Sequence, residues 1–468
     1  MAEDVIAEFR PLFYPASIAV IGASENPFKL GFHSLAAVTS AGFEGAVYPV
    51  NPKAGDEIQG IEAYRSIRDL PEGIDLFVYA LPDHLVVPAV RESVAKGGRA
   101  GVIFAGGFRE TGQAGRRLQD ELVEAAGAGG MKLIGPNCIG VLNTHARLNA
   151  TFASPLAQIP RGSISVVSQS GGAGTCIVTE LVDELAGVAK FISIGNRANV
   201  EFADMVEYLA ADPETSTICL FIEGLDDARD FMERARACSG SKPIVVCNTG
   251  YTGKSSRLAL SHTGSVASSE AVYRGAFTQA GLLRADDLTQ MAVTAKALSM
   301  GARLPGPGVF MCTHTAGPAI IVTDICERAG LRFPELRPET AEAMRDFLPP
   351  HSVPVNPLDM FAQAWTDSSL YIKATDIALR QPDIGCAVAV FQSGMGSGLT
   401  FPASDFAGLS KRHGKPVFLL LTTPALFAQE LADVQAQGVP AYSTPEKMGA
   451  ALVALDRFRA FSDSQPGR

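Results

Sequence analysis

Ser261-His262-Thr263-Gly264-Ser265 sets one histidine among small hydrogen-bonding residues, a setting that suits transient phosphoryl transfer. Neutral imidazole is nucleophilic near pH 7, so histidine carries phosphate well. A strand-like stretch, Pro243 to Cys247, and a glycine-bearing loop precede it. A helix is expected to follow, capped by Ser268 or Ser269. Val272, Ala276 and Ala280 should line its apolar face, flanked by Tyr273 and Phe277. The unpaired N–H groups and partial positive charge of a helix start would suit a phosphoryl group on His262. A solvated loop histidine is the plain alternative.

Two further stretches fit the same chemistry. Ser168-Gln169-Ser170-Gly171-Gly172 follows a strand and opens a helix. Ser168, Ser170, Gly171 and Gly172 are small enough to let a phosphate reach the backbone amides; a ligand-free tight turn would look alike. Glu223 follows the strand Thr217–Ile222. A carboxylate on one ring nitrogen of His262 would fix the tautomer and stabilise developing charge. An exposed helix-start glutamate is the alternative.

The first strand ends in Ile21-Gly22-Ala23-Ser24, which has the look of a nucleotide-binding turn. It breaks the GxGxxG pattern, with Ser24 in place of the second glycine and Pro27 in place of the third. After the second strand a dinucleotide site would carry an acid for the ribose. This chain has Pro49-Val50-Asn51-Pro52-Lys53. A lysine there suits an extra ribose phosphate, such as the 3′-phosphate of coenzyme A; a surface lysine on a plain turn is the alternative. Three more strand ends carry open loops: Ala80-Leu81-Pro82, Ala105-Gly106-Gly107-Phe108 and Gly135-Pro136-Asn137-Cys138. Ligands lie outside the carboxyl ends of open parallel sheets, so these loops should share one crevice.

The elements that must position these residues fall into three alternating segments. Residues 10–148 hold strands at Ser17–Ile21, Ala46–Tyr48, Leu76–Ala80, Gly101–Phe104 and Lys132–Ile134, with helical patterns between. Residues 155–300 hold strands at Ser163–Val167, Lys190–Ile194, Thr217–Ile222 and Pro243–Cys247. The Pro305-Gly306-Pro307-Gly308 break precedes a third segment with strands at Val309–Cys312, Cys386–Phe391 and Val417–Leu421. Short apolar strands separated by helices predict an α/β fold with parallel sheets covered on both faces.

Composition narrows the classes. The 468 residues, 47% hydrophobic and 19% charged, fit about three folded domains. A net charge of −10 disfavours nonspecific binding to nucleic acid or anionic membranes. There is no run of about 18 apolar residues, and the acidic start MAEDVIAEFR lacks signal-peptide features. The eight cysteines (138, 176, 219, 238, 247, 312, 326 and 386) form no CxxC pair. They read as free thiols in a reducing cytoplasm, and no Cys or His spacing suggests a metal site.

Taken together, VIGAS at 20–24, YPVNPK at 48–53, GPNCIG at 135–140, SQSGG at 168–172, IEG at 222–224 and SHTGS at 261–265 make the chain resemble a known family. It looks like the alpha subunit of the ADP-forming acyl-CoA synthetases, in the succinyl-CoA synthetase superfamily. Asn356-Pro357-Leu358-Asp359 extends the likeness into the third segment. The resemblance implies a Rossmann-like CoA-binding domain (1–150), a ligase domain with the phosphohistidine loop (151–304) and a third flavodoxin-like domain (305–468). It implies that His262 is phosphorylated, that Glu223 supports it and that Ser168–Gly172 holds the phosphate. Gly22, Ser24, Asn51, Lys53, Leu81, Pro82 and Asn137 would then lie in the CoA crevice.

The implied activity is an acid–thiol ligase: carboxylate, CoA and ATP give acyl-CoA, ADP and phosphate through an acyl phosphate. ATP and Mg²⁺ would sit on an ATP-grasp beta subunit in a hetero-oligomer with two copies of each chain, and this chain alone should be inactive. Residues 313–318 depart from the pattern, with Thr-His-Thr-Ala-Gly-Pro where many relatives carry an asparagine and paired glycines. The rivals are a related acyl- or carbamoyl-transfer subunit and an acyl-CoA-binding module without turnover. An NAD oxidoreductase is disfavoured by Lys53 and the broken glycine pattern.

Overall fold

The structure, a computed structural model, describes residues 2–251, 253–255, 270–392, 401–422 and 428–464. His262 and its neighbours 256–269, with the expected caps Ser268 and Ser269, lie outside the described residues. The chain divides into two compact units, Met1–Met291 and Ala292–Arg468.

The first unit opens with β1 (Ser17–Ile21), β2 (Ala46–Val50), a short antiparallel pair β3 (Glu57–Ile58) and β4 (Ile61–Glu62), then β5 (Leu76–Tyr79), β6 (Ala100–Ile103) and β7 (Lys132–Ile134). The sheet order is β2-β1-β5-β6-β7, parallel throughout. Every residue of β5 and β6 is buried, as expected of strands covered on both faces. The helices are α1 (Ala2–Phe13), α2 (Leu30–Ser40), α3 (Asp83–Ala95) and α4 (Gln113–Gly127). Ile21 pairs in register with both Val50 and Tyr79, so the loops that follow leave from one edge.

A second sheet in this unit holds β8 (Gly140–Asn143), β9 (Leu148–Thr151), β10 (Arg161–Ser168), β11 (Val188–Ser193), β12 (Thr217–Ile222), β13 (Ile244–Asn248) and β14 (Leu283–Arg284). Its order is β14-β13-β12-β10-β11-β8-β9. Ser168 pairs with Ser193 and Phe221, and Ile222 with Asn248, which again aligns the carboxyl ends. Residues 140–151, at the end of the first segment as read from sequence, form an antiparallel hairpin on β11 and so belong to this second sheet. The covering helices include α5 (Gly171–Asp183), α6 (Phe202–Ala211) and α7 (Ala228–Ser239).

One apolar core runs through both sheets, taking in Val20, Val102 and Ile134 as well as Val167, Ile192 and Leu220. The two sheets are joined further by α1, whose Phe13 ring stacks on Tyr208 of α6 with centroids 4.6 Å apart. In helix Glu270–Gln279 the apolar face differs from expectation. Phe277 is buried and Tyr273 packs on the core, whereas Val272 is 63% exposed. The aromatic pair gives more area to bury than the valine, and it sets the rotation of the helix.

The second unit carries β15 (Val309–Thr313), β16 (Leu358–Asp359), β17 (Cys386–Phe391), β18 (Val417–Leu421) and β19 (Ala441–Tyr442) in the parallel order β16-β15-β17-β18-β19. Its core includes Phe310, Tyr371, Phe391, Phe406 and Leu419. Among the described residues, no helix is long and apolar enough to cross a membrane.

Candidate active site

The crevice at the edge of the first sheet is built by close backbone approach. Gly22 has φ +90°, and its N–H donates to the Val50 carbonyl at 2.8 Å. A Cβ on Gly22 would stand 2.5 Å from the Ala80 carbonyl oxygen. The helix–turn packing that the missing third glycine would have provided comes from Gly31 instead. A Cβ there would fall 1.9 Å from the Gly22 carbonyl, so only glycine lets α2 start this close. A pattern tied to fixed spacing overlooks Gly31; a glycine in the first turn of a helix is its only sequence signal.

Side chains then lock the turn. Asn51 Nδ2 donates to the Ala23 carbonyl at 2.7 Å, and Asn51 Oδ1 accepts from the Lys53 N–H at 2.9 Å. Ser24 is buried, and its hydroxyl accepts from the Asn26 N–H at 3.0 Å. Gln59 Nε2 donates to the Ser24 and Phe32 carbonyls. Asn51 therefore builds the crevice, while the Lys53 side chain stands exposed beside it. Leu81 packs under Gly22, and Pro82 occupies the N-cap position of α3.

On the second sheet, Ser170 is the N-cap of α5, and its hydroxyl accepts from the Ala173 N–H at 3.3 Å. Ser168 Oγ donates to the Ser170 carbonyl at 2.5 Å, holding the loop in shape. The amides of Gly171 and Gly172 are left at the open end of a 13-residue helix, where the dipole favours an anion. Open space surrounds Gly172, whereas a Cβ on Gly171 would strike Ile139 at 2.6 Å.

Gln169, part of the Ser168–Gly172 loop, is 5% exposed and central. Its Oε1 accepts from the backbone N–H groups of Glu223 and Gly224 at 3.0 and 3.1 Å. Those two donors fix the amide's orientation and leave Nε2 buried, with no hydrogen-bond partner among the described residues. Glu223 is thereby held at the end of β12, one strand from the loop before α5.

The loops of the two sheets meet. Asn137 has φ +58°, its N–H donates to the Ala105 carbonyl, and its side-chain Nδ2 lies 3.4 Å from Asn196 Oδ1. Asn196 Nδ2 donates to Glu110 Oε2 at 2.5 Å, and Glu110 Oε1 accepts from the Gly107 N–H at 2.6 Å. Gly195 fits against the Pro136 carbonyl, where a Cβ would be 2.3 Å away. Asp226 bonds Arg109 Nη1 at 2.6 Å and Arg197 Nη2 at 3.0 Å. Burial by itself would raise the Asp226 pKa, but the two guanidiniums hold it below the usual carboxylate value. None of Asn196, Glu110, Arg197 and Asp226 carries a motif signal, since each acts across sheets distant in sequence.

Beside these contacts lies a half-open pocket of about 270 Å³ lined by residues of both sheets. Asn137, Ser170, Gly171 and Gly172 from the sequence-derived set face it together with Gln169 and Asn196. Leu30, Phe104, Ile139 and Phe152 form its apolar wall. Cys138 also lines it, and burial pushes that thiol up to about 12, so it stays protonated and inert near neutral pH. In the second unit, the unusual His314 follows β15. Tyr371 donates its hydroxyl to the Val390 carbonyl, so His314 Nδ1–H donates to Tyr371 Oη at 2.8 Å. Burial lowers the pKa of this imidazole, with Asp359 partly opposing.

Comparison with known proteins agrees with this geometry. Residues 16–144 match the CoA binding domain family, and residues 161–298 match the succinyl-CoA ligase like flavodoxin domain. The alpha subunit of acetate–CoA ligase [ADP-forming] II of Pyrococcus furiosus is 37% identical over 450 residues, covering 95% of this chain and 96% of that one. The acetate–CoA ligase [ADP-forming] I of Archaeoglobus fulgidus is 36% identical over 353 residues, which is 75% of this chain but 50% of that protein. The dinucleotide-forming acetyl-coenzyme A synthetase 1 of Ca. Korarchaeum cryptofilum, solved with phosphate and ADP, superposes with a TM-score of 0.88 at 31% identity, covering 98% of this chain and 99% of that one. The chain belongs to the alpha-subunit family of the ADP-forming acyl-CoA ligases.

Proposed function

We propose that this chain is the CoA-binding, histidine-phosphorylated subunit of a ligase that joins a carboxylic acid to CoA at the expense of ATP. A free carboxylate is a poor acylating agent. Phosphoryl transfer to it gives an acyl phosphate, which the CoA thiol attacks to release the thioester and phosphate. His262 carries the phosphoryl group between this site and the nucleotide site, Glu223 steadies its imidazole, and the open end of α5 receives the anion. The observation that carries the reading is one pocket lined by both the start of α5 and Asn137, Cys138 and Ile139 of the loop after β7. Reacting groups carried by the two sheets would be brought together there.

The nucleotide and its Mg²⁺ would be held by an ATP-grasp partner. That this chain matches only half of the Archaeoglobus relative, and that the Pyrococcus relative is named as an alpha subunit, supports a second polypeptide in the working enzyme. Two copies of each chain about a twofold axis is the expected assembly. The test is to assay CoA-dependent ADP release over a panel of carboxylates, with the chain alone and with an ATP-grasp partner. Turnover should need both proteins. Robust turnover without the partner would overturn the subunit assignment, and CoA binding with no protein phosphate would favour an acyl-CoA-binding module.

Lys53 supplies a second measurable expectation. If its ammonium meets the 3′-phosphate, a charge-assisted contact contributes about 1–3 kcal/mol. Calorimetry on the full chain should then show CoA binding about 5- to 150-fold tighter than dephospho-CoA, with the difference lost in Lys53→Ala. Equal binding of the two ligands to the unaltered chain would remove Lys53 from the phosphate site.

A further inference from the structure

We propose that Asp226, gripped by Arg109 and Arg197, is a positioning residue that sets Glu223 for phosphoryl transfer and ties it to the CoA crevice. The proposal rests on the ligase reading and deepens it by naming what keeps the two sites in register.

The segment 223–227 after β12 is fastened along its length. Gln169 Oε1 holds the Glu223 and Gly224 amides, and Leu225 packs against the core. Asp227 is the N-cap of α7, its Oδ1 accepting from the Asp230 N–H at 2.9 Å. Asp226 is the one residue of the segment that reaches the other sheet, through Arg109.

Arg109 opens a short 3₁₀ turn, Arg109–Thr111, directly after the crevice loop Ala105–Phe108. The next residue, Glu110, accepts from the Gly107 and Phe108 amides of that loop. One turn therefore shapes the crevice loop and, with Arg109 Nη1 2.6 Å from Asp226 Oδ2, holds the Glu223 segment. Arg197, which follows β11, takes the other carboxylate oxygen at 3.0 Å and Glu201 at 2.7 Å.

For a device that only adds stability, this arrangement is costly. The Arg197 side chain is fully buried, and its φ of +58° is left-handed, a conformation that a residue with a Cβ adopts at a penalty. Arg109 Nε and Nη2 and Arg197 Nε are buried, with no hydrogen-bond partner among the described residues. Unpaired donors on buried cations are unfavourable. The carboxylate they share is itself half-exposed, where an ion pair adds little to stability. What the arrangement supplies is position. Two planar guanidiniums fix both oxygens of Asp226, and with them the backbone three residues from Glu223. Misplacing a catalytic group by about 1 Å can slow a reaction about 100-fold.

The test uses the enzyme assembled with its ATP-grasp partner. Asp226→Asn keeps the shape and removes the charge that both guanidiniums share. Protein labelling from γ-labelled ATP should slow about 10- to 100-fold in this variant, while calorimetry gives CoA affinity within about twofold of the unaltered enzyme. Arg109→Met should slow labelling as well, and Arg109→Lys should recover part of the loss. Arg109→Met combined with Asp226→Asn should be no slower than Asp226→Asn alone, because both changes break the same contact. Melting temperatures separate positioning from collapse. If Asp226→Asn does not fold, Arg109→Lys against Arg109→Met carries the same comparison. Should labelling follow melting temperature across the variants, with Arg109→Lys no better than Arg109→Met, the clamp is merely structural and the proposal is overturned. If the unaltered enzyme is labelled and Asp226→Asn is labelled as fast, the positioning role is wrong and the ligase reading stands. If the unaltered assembly takes no label, the ligase reading falls and the proposal with it.

Discussion

His262→Ala should leave the assembled enzyme without acid-labile, base-stable protein phosphate after incubation with γ-labelled ATP, and turnover should fall by at least about 10³-fold. The size follows from the role: a covalent carrier has no substitute when two sites must exchange a phosphoryl group. Glu223 should show a graded effect. Its backbone is held by Gln169 at the end of β12, so Glu223→Ala removes a carboxylate from a position that does not collapse. Losing an orienting carboxylate should lower the rate about 10²- to 10⁴-fold, with CoA binding intact, and Glu223→Gln should keep part of what Glu223→Ala loses. Equal labelling of unaltered enzyme and His262→Ala would place the phosphate elsewhere. Undiminished labelling and turnover in Glu223→Ala would make that residue a bystander.

The strands were legible in the sequence because they are buried on both faces. Continuous apolar runs such as Leu76–Tyr79 and Cys386–Phe391 need no partner to be recognised, and expected and observed strand ends differ by at most two residues. The hairpin 140–151 was not legible as part of the second sheet. Its strands are short, and their place depends on pairing with β11, about 50 residues on. Helix α1 was read only as an acidic start, yet Phe9 and Phe13 bury against Tyr208. In the site, the small-residue loops were visible because a helix start that a backbone must approach closely constrains residue type locally. That both ends of the Asn51 side chain hold backbone was not visible. Gly31 and Asn196 act through approach distances that only the folded chain creates, so no spacing rule marks them, and the bridge from Gln169 of the SQSGG motif to the Glu223 and Gly224 amides is likewise visible only in the fold.

Lys190→Met should destabilise the first unit by about 3–5 kcal/mol, although Lys190 is remote from any motif. The side chain sits on β11 and is fully buried, with Nζ 2.7 Å from Asp212 Oδ2, 2.9 Å from Glu214 Oε2 and 3.3 Å from Tyr14 Oη. Tyr14 in turn donates to Glu214. This cluster ties the end of α1 to the second sheet. Burial alone would lower the lysine pKa, but the hydrogen bonds and charge of Asp212 and Glu214 raise it above the ordinary lysine value. A folded-state pKa above the unfolded one means the contribution is complete below the ordinary lysine pKa and is lost only as pH rises through the folded value. The loss on substitution should therefore be full at neutral pH. Removing the cation leaves Asp212, 1% exposed, as a buried carboxylate beside Glu214 with only the Thr215 hydroxyl and the Glu214 N–H still donating to it. Thermal and urea unfolding should show the drop, with a fall in melting temperature of roughly 10 °C. Adding Asp212→Asn should recover part of it, because the new charge imbalance shrinks while the volume is kept. A Lys190→Met protein as stable as the unaltered chain would show that the cluster contributes nothing net. Failure of Asp212→Asn to recover stability would put the cost in packing around the Lys190 stem rather than in the stranded carboxylates.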